Sequence, residues 1–208
     1  MNQKFVITGT GTDIGKTVFA SALTSALGAY YWKPVQAGLD DGTDSETVAR
    51  LGNIAPEFIL PETFRLNTPA SPHYAAAIDG VSIKLADLSP PPINGALIIE
   101  GAGGALVPVN DNLLYADVFA AWQILAIIVA STQLGTINHS LMTIESLRSR
   151  DVPIHGIAFI GPQVTDSEDI ICQLGMVKHL GRLPIIENLS ADTLRQAFDD
   201  GFSMADFT

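Results

Sequence analysis

A glycine-rich segment near the N-terminus has the residue types that bind a nucleotide phosphate chain. Residues 9–17 are Gly-Thr-Gly-Thr-Asp-Ile-Gly-Lys-Thr, between an apolar run and a stretch with apolar residues at helical spacing. This is the order of a phosphate-binding loop, in which Lys16 reaches the outer phosphates and the Thr17 hydroxyl ligates Mg²⁺. Five residues rather than four separate Gly9 and Gly15, so an atypical loop is predicted. The alternative is a tight strand-to-helix turn that binds nothing.

An acidic residue that follows a predicted buried strand is the second candidate for phosphate chemistry. Residues 95–99 are apolar, and Glu100 and a glycine-rich segment follow them. Such runs are typical of strands buried on both faces of a parallel sheet, whose ligands bind beyond the carboxyl ends of the strands. Because burying an unpaired carboxylate is costly, Glu100 is expected to be a Mg²⁺ ligand or an acid that positions water.

Further charged residues follow a second predicted strand, at residues 30–35. Lys33 lies near its end and precedes a proline. It is either a solvated edge lysine or a second positive charge beside the transferred phosphate. Asp40, Asp41 and Asp44 lie in a polar turn before a predicted helix, where they either cap the helix or supply a metal ligand.

A later turn, at residues 133–139, opens another predicted helix. The N-terminus of a helix exposes unpaired N–H groups, so residues 135–138 could hold an anion such as a carboxylate. Asn138 is predicted either to cap this helix or to contact that anion.

Composition limits the class of protein. The 208 residues suffice for one α/β domain, and with 47% apolar and 16% charged residues the chain is expected to be globular. A net charge of −11 argues against nucleic acid or an anionic membrane as partner. No apolar run is long enough to span a membrane, and because the first residues lead straight into a predicted strand, no signal peptide is expected. With a single cysteine, Cys172, a cytoplasmic protein is expected.

Strands that alternate with helices predict an α/β fold with a mostly parallel sheet flanked by helices on both faces, of the P-loop NTPase type. In the last third of the chain, a strand is predicted at residues 154–160 and helices at residues 166–179 and 191–198. Residues 181–186 are predicted to begin the last connection. We expect residues 1–208 to form a single P-loop ATPase-type domain.

Five motifs together resemble the dethiobiotin synthetase family. They are the loop at residues 9–17, the segment Lys-Pro-Val-Gln-Ala-Gly at 33–38, Asp44, Glu-Gly-Ala-Gly-Gly at 100–104, and Leu-Gly-Thr-Ile-Asn-His at 134–139. They occur in order and span most of the chain. The resemblance implies a homodimer that uses ATP, Mg²⁺ and CO2 or bicarbonate to close a cyclic urea on 7,8-diaminononanoate. One amine would form a carbamate, the carbamate would attack the γ-phosphate, and the second amine would attack the resulting mixed anhydride.

The resemblance also implies a role for each matching position. Lys33 and Lys16 would be catalytic, neutralising the carbamate and the γ-phosphate. Thr17, Asp44 and Glu100 would hold Mg²⁺. The nucleotide would be bound by Asp13, Ile14, Gly15, Lys16, Thr17, Val18, Asp44, Glu100, Gly101, Ala102, Gly103, Ile160, Gly161, Pro184, Ile185 and Ile186. The substrate would contact Ala37 and, from the other subunit, Gly135, Thr136, Ile137 and Asn138.

Three positions depart from the family pattern. Ala37 replaces a serine or threonine that touches the substrate, which predicts a contact weaker by about 1 kcal/mol, the net contribution of one hydrogen bond. Ile160 and Gly161 stand where an asparagine commonly recognises the adenine edge, so looser selection of the base is predicted. Gln133 replaces a lysine seen in some relatives.

A partition- or division-site ATPase, acting as a nucleotide-dependent dimeric switch, is the alternative function. Such proteins share the predicted fold but normally carry a lysine at the place of Gly11. They also need a basic surface or a C-terminal amphipathic membrane helix. This chain is acidic and ends in Asp206-Phe207-Thr208, so we expect neither feature.

Overall fold

The computed structural model describes residues 3–40 and 42–208. In these ranges the chain forms seven α-helices: α1 Lys16–Leu27, α2 Asp44–Gly52, α3 Pro72–Asp79, α4 Tyr115–Trp122, α5 Thr136–Arg148, α6 Thr165–Gly175 and α7 Ala191–Gly201. The strands are β1 Lys4–Gly9, β2 Tyr30–Trp32, β3 Val35–Ala37, β4 Ile59–Leu60, β5 Phe64–Leu66, β6 Leu97–Gly104, β7 Pro108–Asn110, β8 Leu113–Leu114, β9 Leu125–Ser131, β10 Ile154–Ile160 and β11 His179–Leu183.

Seven of the strands form one parallel sheet in the order β11-β10-β9-β1-β6-β2-β4. The central strands are the apolar runs of the sequence, and helices cover them on both faces, as continuous apolar strands require. Ile7 on β1 pairs with Glu100 on β6. The phosphate-binding loop and the acid therefore leave the sheet side by side at its carboxyl edge, where open α/β sheets bind ligands.

The two faces of the sheet have separate cores. Helices α1, α2 and α7 pack on one face, around Phe19, Val48 and Phe198. Helices α3 to α6 cover the other face, together with the β7–β8 hairpin, around Phe119 and Ile144. The predicted fold class is thus confirmed. None of the helices in the described residues is both long and apolar enough to cross a membrane.

The strand predicted at residues 30–35 is wrong in one respect, because it is broken at Pro34. Proline has no N–H to donate to a sheet ladder, and the chain leaves the main sheet after Trp32. Strand β3 then pairs with β5 in a separate two-stranded sheet. All three residues of β3 line the cavity that contains Lys33.

The helix predicted at residues 166–179 is too long, and strand β11 was not predicted. Met176 adopts a left-handed backbone with φ of 44°, which ends α6 at Gly175. His179 then begins the edge strand β11, whose sequence His-Leu-Gly-Arg-Leu lacks a continuous apolar run.

Candidate active site

The phosphate-binding loop links β1 to α1 and needs a left-handed residue at its end. Gly15 has φ of 91°, and a side chain at this position would meet Ile160 at 3.1 Å, so the loop requires glycine here. Lys16 follows in the first turn of α1, and its Nζ donates a hydrogen bond of 2.8 Å to the Gly11 carbonyl. The lysine therefore reaches back across the loop. Burial of Lys16 lowers the pKa of its ammonium group, although the charge of Glu100 partly offsets this.

Three oxygen-bearing side chains converge beside the loop. Thr17 Oγ1 lies 2.8 Å from Glu100 Oε1 and 3.1 Å from Asp44 Oδ1. The three residues are on different elements, α1, β6 and α2, so only the folded chain brings them together. One hydroxyl and two carboxylates form a set of hard oxygen donors of the kind that Mg²⁺ prefers.

The position of Asp44 is fixed by hydrogen bonds at the start of α2. Thr43 and Glu46 form a reciprocal capping box there. The buried Gln36 side chain on β3 accepts a hydrogen bond of 3.1 Å from the Asp44 N–H and donates to the carbonyls of Ala37 and Gly38. Gln36 therefore ties α2 to the loop before it. Asp41, a predicted candidate ligand in this loop, lies outside the described residues.

Lys33 is buried among these acids, with 3% of its surface exposed. Its Nζ lies 2.5 Å from Asp44 Oδ2, 3.3 Å from Glu100 Oε1 and 3.0 Å from the Gly101 carbonyl. These contacts use all three N–H donors of an ammonium group. The alternative of a solvated edge lysine is therefore wrong.

The charges in this cluster stabilise one another. Burial favours the neutral form of Lys33, but the carboxylates of Glu100 and Asp44 outweigh it and raise the pKa of the ammonium group. Burial likewise opposes the charge of Asp44, but Lys33 outweighs it and lowers the pKa of this carboxyl. Lys33 is thus protonated and Asp44 ionised at neutral pH.

A cavity of about 780 Å³ opens in front of this cluster. The predicted catalytic and metal-binding residues Lys16, Lys33, Thr17, Asp44 and Glu100 line it, as do the predicted ligand contacts Asp13, Gly15, Val18, Ala37, Ala102 and Gly103. Gly101 contributes its carbonyl to Lys33 but does not line the cavity. Val35, Pro69, Pro72 and Val107 form apolar walls, so the cavity has a charged end and an apolar end.

A second cavity of about 280 Å³ adjoins the first along the phosphate-binding loop. Asp13, Gly15 and Val18 line both cavities, and the second contains the remaining predicted nucleotide contacts Ile14, Ile160, Gly161, Pro184, Ile185 and Ile186, together with Gln133. Its lining is mainly apolar side chains. It is large enough for a flat ring next to a phosphate chain.

The peptide groups at residues 160 and 161 are occupied by hydrogen bonds within the protein. The Gly161 N–H donates to the Leu183 carbonyl, and the Ile160 carbonyl accepts from the Thr132 N–H. The Gly161 carbonyl accepts a hydrogen bond of 2.8 Å from Arg182. These three groups already have partners, and the Ile160 side chain can offer a ring only van der Waals contact.

The predicted carboxylate site at the start of α5 lies apart from both cavities. Residues Gly135 to Asn138 line neither of them. The helix begins after Gly135, whose φ is 97°, and it has no side-chain cap. Asn138 is not a cap, since its amide points along the helix to Met142. The Thr136 N–H already donates to the Gln133 carbonyl, which leaves the N–H groups of Ile137 and Asn138 for an anion.

Two residues that position Asp44 and Glu100 were not predicted from the sequence. Gln36 holds the backbone of Asp44, and the Tyr31 hydroxyl donates a hydrogen bond of 2.9 Å to Glu100 Oε2. Gln36 lies within the motif at residues 33–38, but no pattern in the sequence indicates its contact with Asp44. Strand alternation could have identified Tyr31, because it lies two residues before Lys33 and so on the same face of the strand predicted at residues 30–35.

The donor set fits a divalent cation held jointly with a nucleotide. In residues 3–40 and 42–208 no group of three or more histidine, cysteine, aspartate or glutamate side chains could hold a metal ion alone. Thr17, Asp44 and Glu100 supply fewer protein ligands than a closed metal site. Mg²⁺ commonly binds through one or two carboxylates and completes its coordination with water and substrate phosphates.

A family model and named relatives match this chain over most or all of its length. The sequence model of a family described as "AAA domain" matches residues 3–193. ATP-dependent dethiobiotin synthetase BioD of Afipia carboxidovorans is 56% identical over the full length of both chains. The protein of the same name from Novosphingobium aromaticivorans is 58% identical over 98% of each chain.

Solved structures show the fold at lower identity. A ParA family ATPase from Chlorobium tepidum aligns with 98% of this chain and 91% of its own, at a TM-score of 0.51 and 15% identity. The MinC:MinD cell division complex of Aquifex aeolicus aligns with 94% of this chain and 86% of the matched chain, at a TM-score of 0.53 and 14% identity. At such identities the likeness concerns the fold alone.

Proposed function

We propose a reaction course for this chain, which belongs to the ATP-dependent dethiobiotin synthetase family and is therefore an ATP-dependent cyclo-ligase of biotin biosynthesis. Its substrates in this proposal are 7,8-diaminononanoate, CO2 and ATP. Residues 1–208 act as one catalytic domain, in line with relatives that match from end to end. The alternative of a partition- or division-site switch has only the shared fold in its favour.

The chemistry requires three bond-forming steps. One substrate amine attacks CO2 and loses a proton, giving a carbamate. A carbamate oxygen attacks the γ-phosphorus of ATP, and ADP leaves, so that a carbamic-phosphoric anhydride forms. The second amine then attacks the carbonyl carbon, loses a proton and expels phosphate, which closes the cyclic urea.

One observation carries this proposal: both lysines line the cavity that also contains Thr17, Asp44 and Glu100. A carbamate and a γ-phosphate are both anions, and their approach requires positive charge between them. Lys16 on the loop and the protonated Lys33 supply that charge from two sides of the cavity. Fixed charges that meet developing charge in a site shielded from water commonly make the largest contribution to catalysis.

Thr17, Asp44 and Glu100 would hold Mg²⁺ together with the phosphates. When bound, the cation would neutralise charge on the phosphate oxygens. The three residues of this chain fix its place, because α1, α2 and β6 each contribute one of them.

The apolar walls would take the alkyl chain of the substrate. Val35, Pro69, Pro72 and Val107 offer it van der Waals contact. Ala37 in the same wall lacks a hydroxyl, so it gives no hydrogen bond to the substrate.

The substrate carboxylate would be held by residues 135–138 of a second copy of this chain, since these residues line neither cavity of their own subunit. Leu106, Leu134 and Met142 are exposed near that helix and would be covered in a homodimer. Sedimentation at working concentration should then give twice the 22.1 kDa chain mass. A fully active monomer would contradict this arrangement.

Selection of the base should be loose. The carbonyl of Ile160 and both peptide groups of Gly161 already have partners, and the ring would lie against apolar side chains. We therefore expect CTP and GTP to support turnover with kcat/KM within about 10-fold of the ATP value, since an apolar pocket discriminates similar ligands only weakly. Steady-state rates with each nucleotide measure this. Strict dependence on ATP would show that other groups recognise the base.

The direct test of the proposed function is phosphate release from ATP by the purified protein. Phosphate should form only when the diamine and bicarbonate are both present, and one dethiobiotin should form for each phosphate. Release that is independent of the diamine would mean an ATPase rather than this ligase.

A further inference from the structure

The hydroxyl of Tyr31 makes a contact with the active-site acid that the reaction course leaves unexplained. It donates a hydrogen bond of 2.9 Å to Glu100 Oε2, and both residues are 0% exposed. The other oxygen of the same carboxylate, Oε1, faces Thr17 at 2.8 Å and Lys33 at 3.3 Å. The two carboxylate oxygens therefore have different partners: a phenol on Oε2, and the candidate ligand Thr17 and the Lys33 ammonium group on Oε1.

Strand register explains why the phenol reaches this oxygen. On the neighbouring parallel strands β2 and β6, Tyr31 pairs with Ile98. Glu100 lies two residues after Ile98 and so points to the same face of the sheet. The side chain of Tyr31 extends far enough along this face for its hydroxyl to contact the Glu100 carboxylate. Both side chains are enclosed by the α1 and α2 side of the core, where water does not compete.

Burial keeps the phenol a donor. Burial and the charge of Glu100 raise the pKa of Tyr31 well above its usual range. The hydroxyl carries a single proton, and this proton is the one in the hydrogen bond to Glu100.

We propose that Tyr31 is a positioning residue that holds Oε2 of Glu100, so that Oε1 alone is presented to the cation bound with the nucleotide. This rests on the proposed assignment of Thr17, Asp44 and Glu100 as the cation ligands. Without the hydroxyl, Oε2 is buried without a partner and the carboxylate turns toward Lys33. The affinity for the cation then falls, because its ligand Glu100 is no longer oriented before binding.

The measurement is the coupling between a divalent cation and ADP. Calorimetry gives the Kd of ADP with excess Mn²⁺ and again with EDTA, and the ratio of the two values reports the cation site without any turnover. In Tyr31→Phe this ratio should fall by about 10-fold or more, the effect common for residues that orient a metal ligand. The Kd of ADP in EDTA should not change, because the lost hydrogen bond of the Tyr31 hydroxyl is to Glu100 and not to the phosphate-binding loop.

Two further variants make the result specific. Tyr30→Phe is the matched control: Tyr30 is the adjacent residue on β2, packs on the opposite face against Phe58, and its ratio should equal that of the wild type. Thr17→Val removes a proposed ligand, and its ratio should fall close to one. Circular dichroism at the assay temperature confirms that each variant is folded.

The results distinguish the positioning role of Tyr31 from the assignment of the cation ligands. A ratio that falls in Thr17→Val but stays at the wild-type value in Tyr31→Phe overturns the positioning role and leaves the cation site standing. A ratio unchanged in Thr17→Val refutes the assignment of the cation ligands, and with it this inference. A lower melting temperature in Tyr31→Phe without a change in the ratio shows a purely structural role and also overturns the proposal.

Discussion

Lys33→Gln should lower kcat for diamine-dependent phosphate release by about 10²–10³-fold, the loss typical when one preorganised group that stabilises developing charge is removed. Lys33 is a buried ammonium group whose partners are Asp44, Glu100 and the Gly101 carbonyl. Glutamine keeps much of the volume and two of the N–H donors but removes the charge. The rate of the step in which two anions meet is therefore expected to fall, whereas the affinity for Mg²⁺-ATP is expected to change little.

Steady-state phosphate release and calorimetric binding of a non-hydrolysable ATP analogue separate these two effects. Lys84→Gln is the control, because Lys84 is exposed and lines neither cavity, so kcat should stay at the wild-type value. Loss of nucleotide binding equal to the loss of rate would assign Lys33 to ground-state binding instead. Undiminished turnover would remove Lys33 from the mechanism.

Thr17→Val is expected to have the second large effect. Thr17 Oγ1 is the atom at which Asp44 and Glu100 converge, at 3.1 and 2.8 Å. Valine has nearly the same shape but cannot ligate a cation. Because a bound cation contributes several kcal/mol to the stabilisation of transition-state charge, kcat/KM for ATP should fall by about 10³-fold. Titration with Mg²⁺ should also show half-saturation at a higher concentration.

Thr24→Val on the same helix is the matched control. Thr24 lies two turns after Thr17, is buried, and its hydroxyl has no hydrogen-bond partner in the described residues. Its replacement should leave the Mg²⁺ titration unchanged and raise the free energy of unfolding by about 1 kcal/mol, because a buried hydroxyl without a partner is destabilising. If both valine variants shifted the titration equally, the effect would arise from helix α1 rather than from the Thr17 oxygen.

The sequence predicted the parts of the site that follow from the ends of strands. The phosphate-binding loop and Glu100 come after apolar runs long enough to identify buried parallel strands, and such strands end at one edge of the sheet. That edge does contain Lys16, Thr17 and Glu100 side by side. Local pattern was sufficient here because each residue is placed by its own strand or helix.

The environment of Lys33 could not be predicted from the sequence. Its charge beside a proline is compatible with an exposed strand end. Lys33 is buried instead, because it forms ion pairs with Asp44 on α2 and Glu100 on β6, which lie 11 and 67 residues later in the chain. Long-range pairing of this kind leaves no local periodicity. Tyr31 and Gln36 also act across elements, since the Tyr31 hydroxyl donates to the Glu100 carboxylate and the Gln36 side chain accepts from the Asp44 N–H.

The edges of the fold were also difficult to predict. Strand β11 is short and contains a histidine, a glycine and an arginine, so it lacks the apolar run that identified β6. Its place at the sheet edge tolerates such residues, because only one side of the strand pairs within the sheet. The separate sheet of β3 and β5 depends on the break at Pro34. The residues around Pro34 do not indicate which strand the chain pairs with after the break.

Attack by a carbamate on ATP can be tested by following oxygen atoms rather than rates. In the proposed mechanism, a carbamate oxygen of the substrate attacks the γ-phosphorus and leaves with the phosphate. Turnover in freshly dissolved ¹⁸O-bicarbonate, with mass spectrometry of the released phosphate, should show one ¹⁸O in each phosphate formed with dethiobiotin. Phosphate that carries no label from bicarbonate, formed at the same rate as dethiobiotin, would contradict attack by the carbamate and with it the role assigned to Lys33 and Lys16.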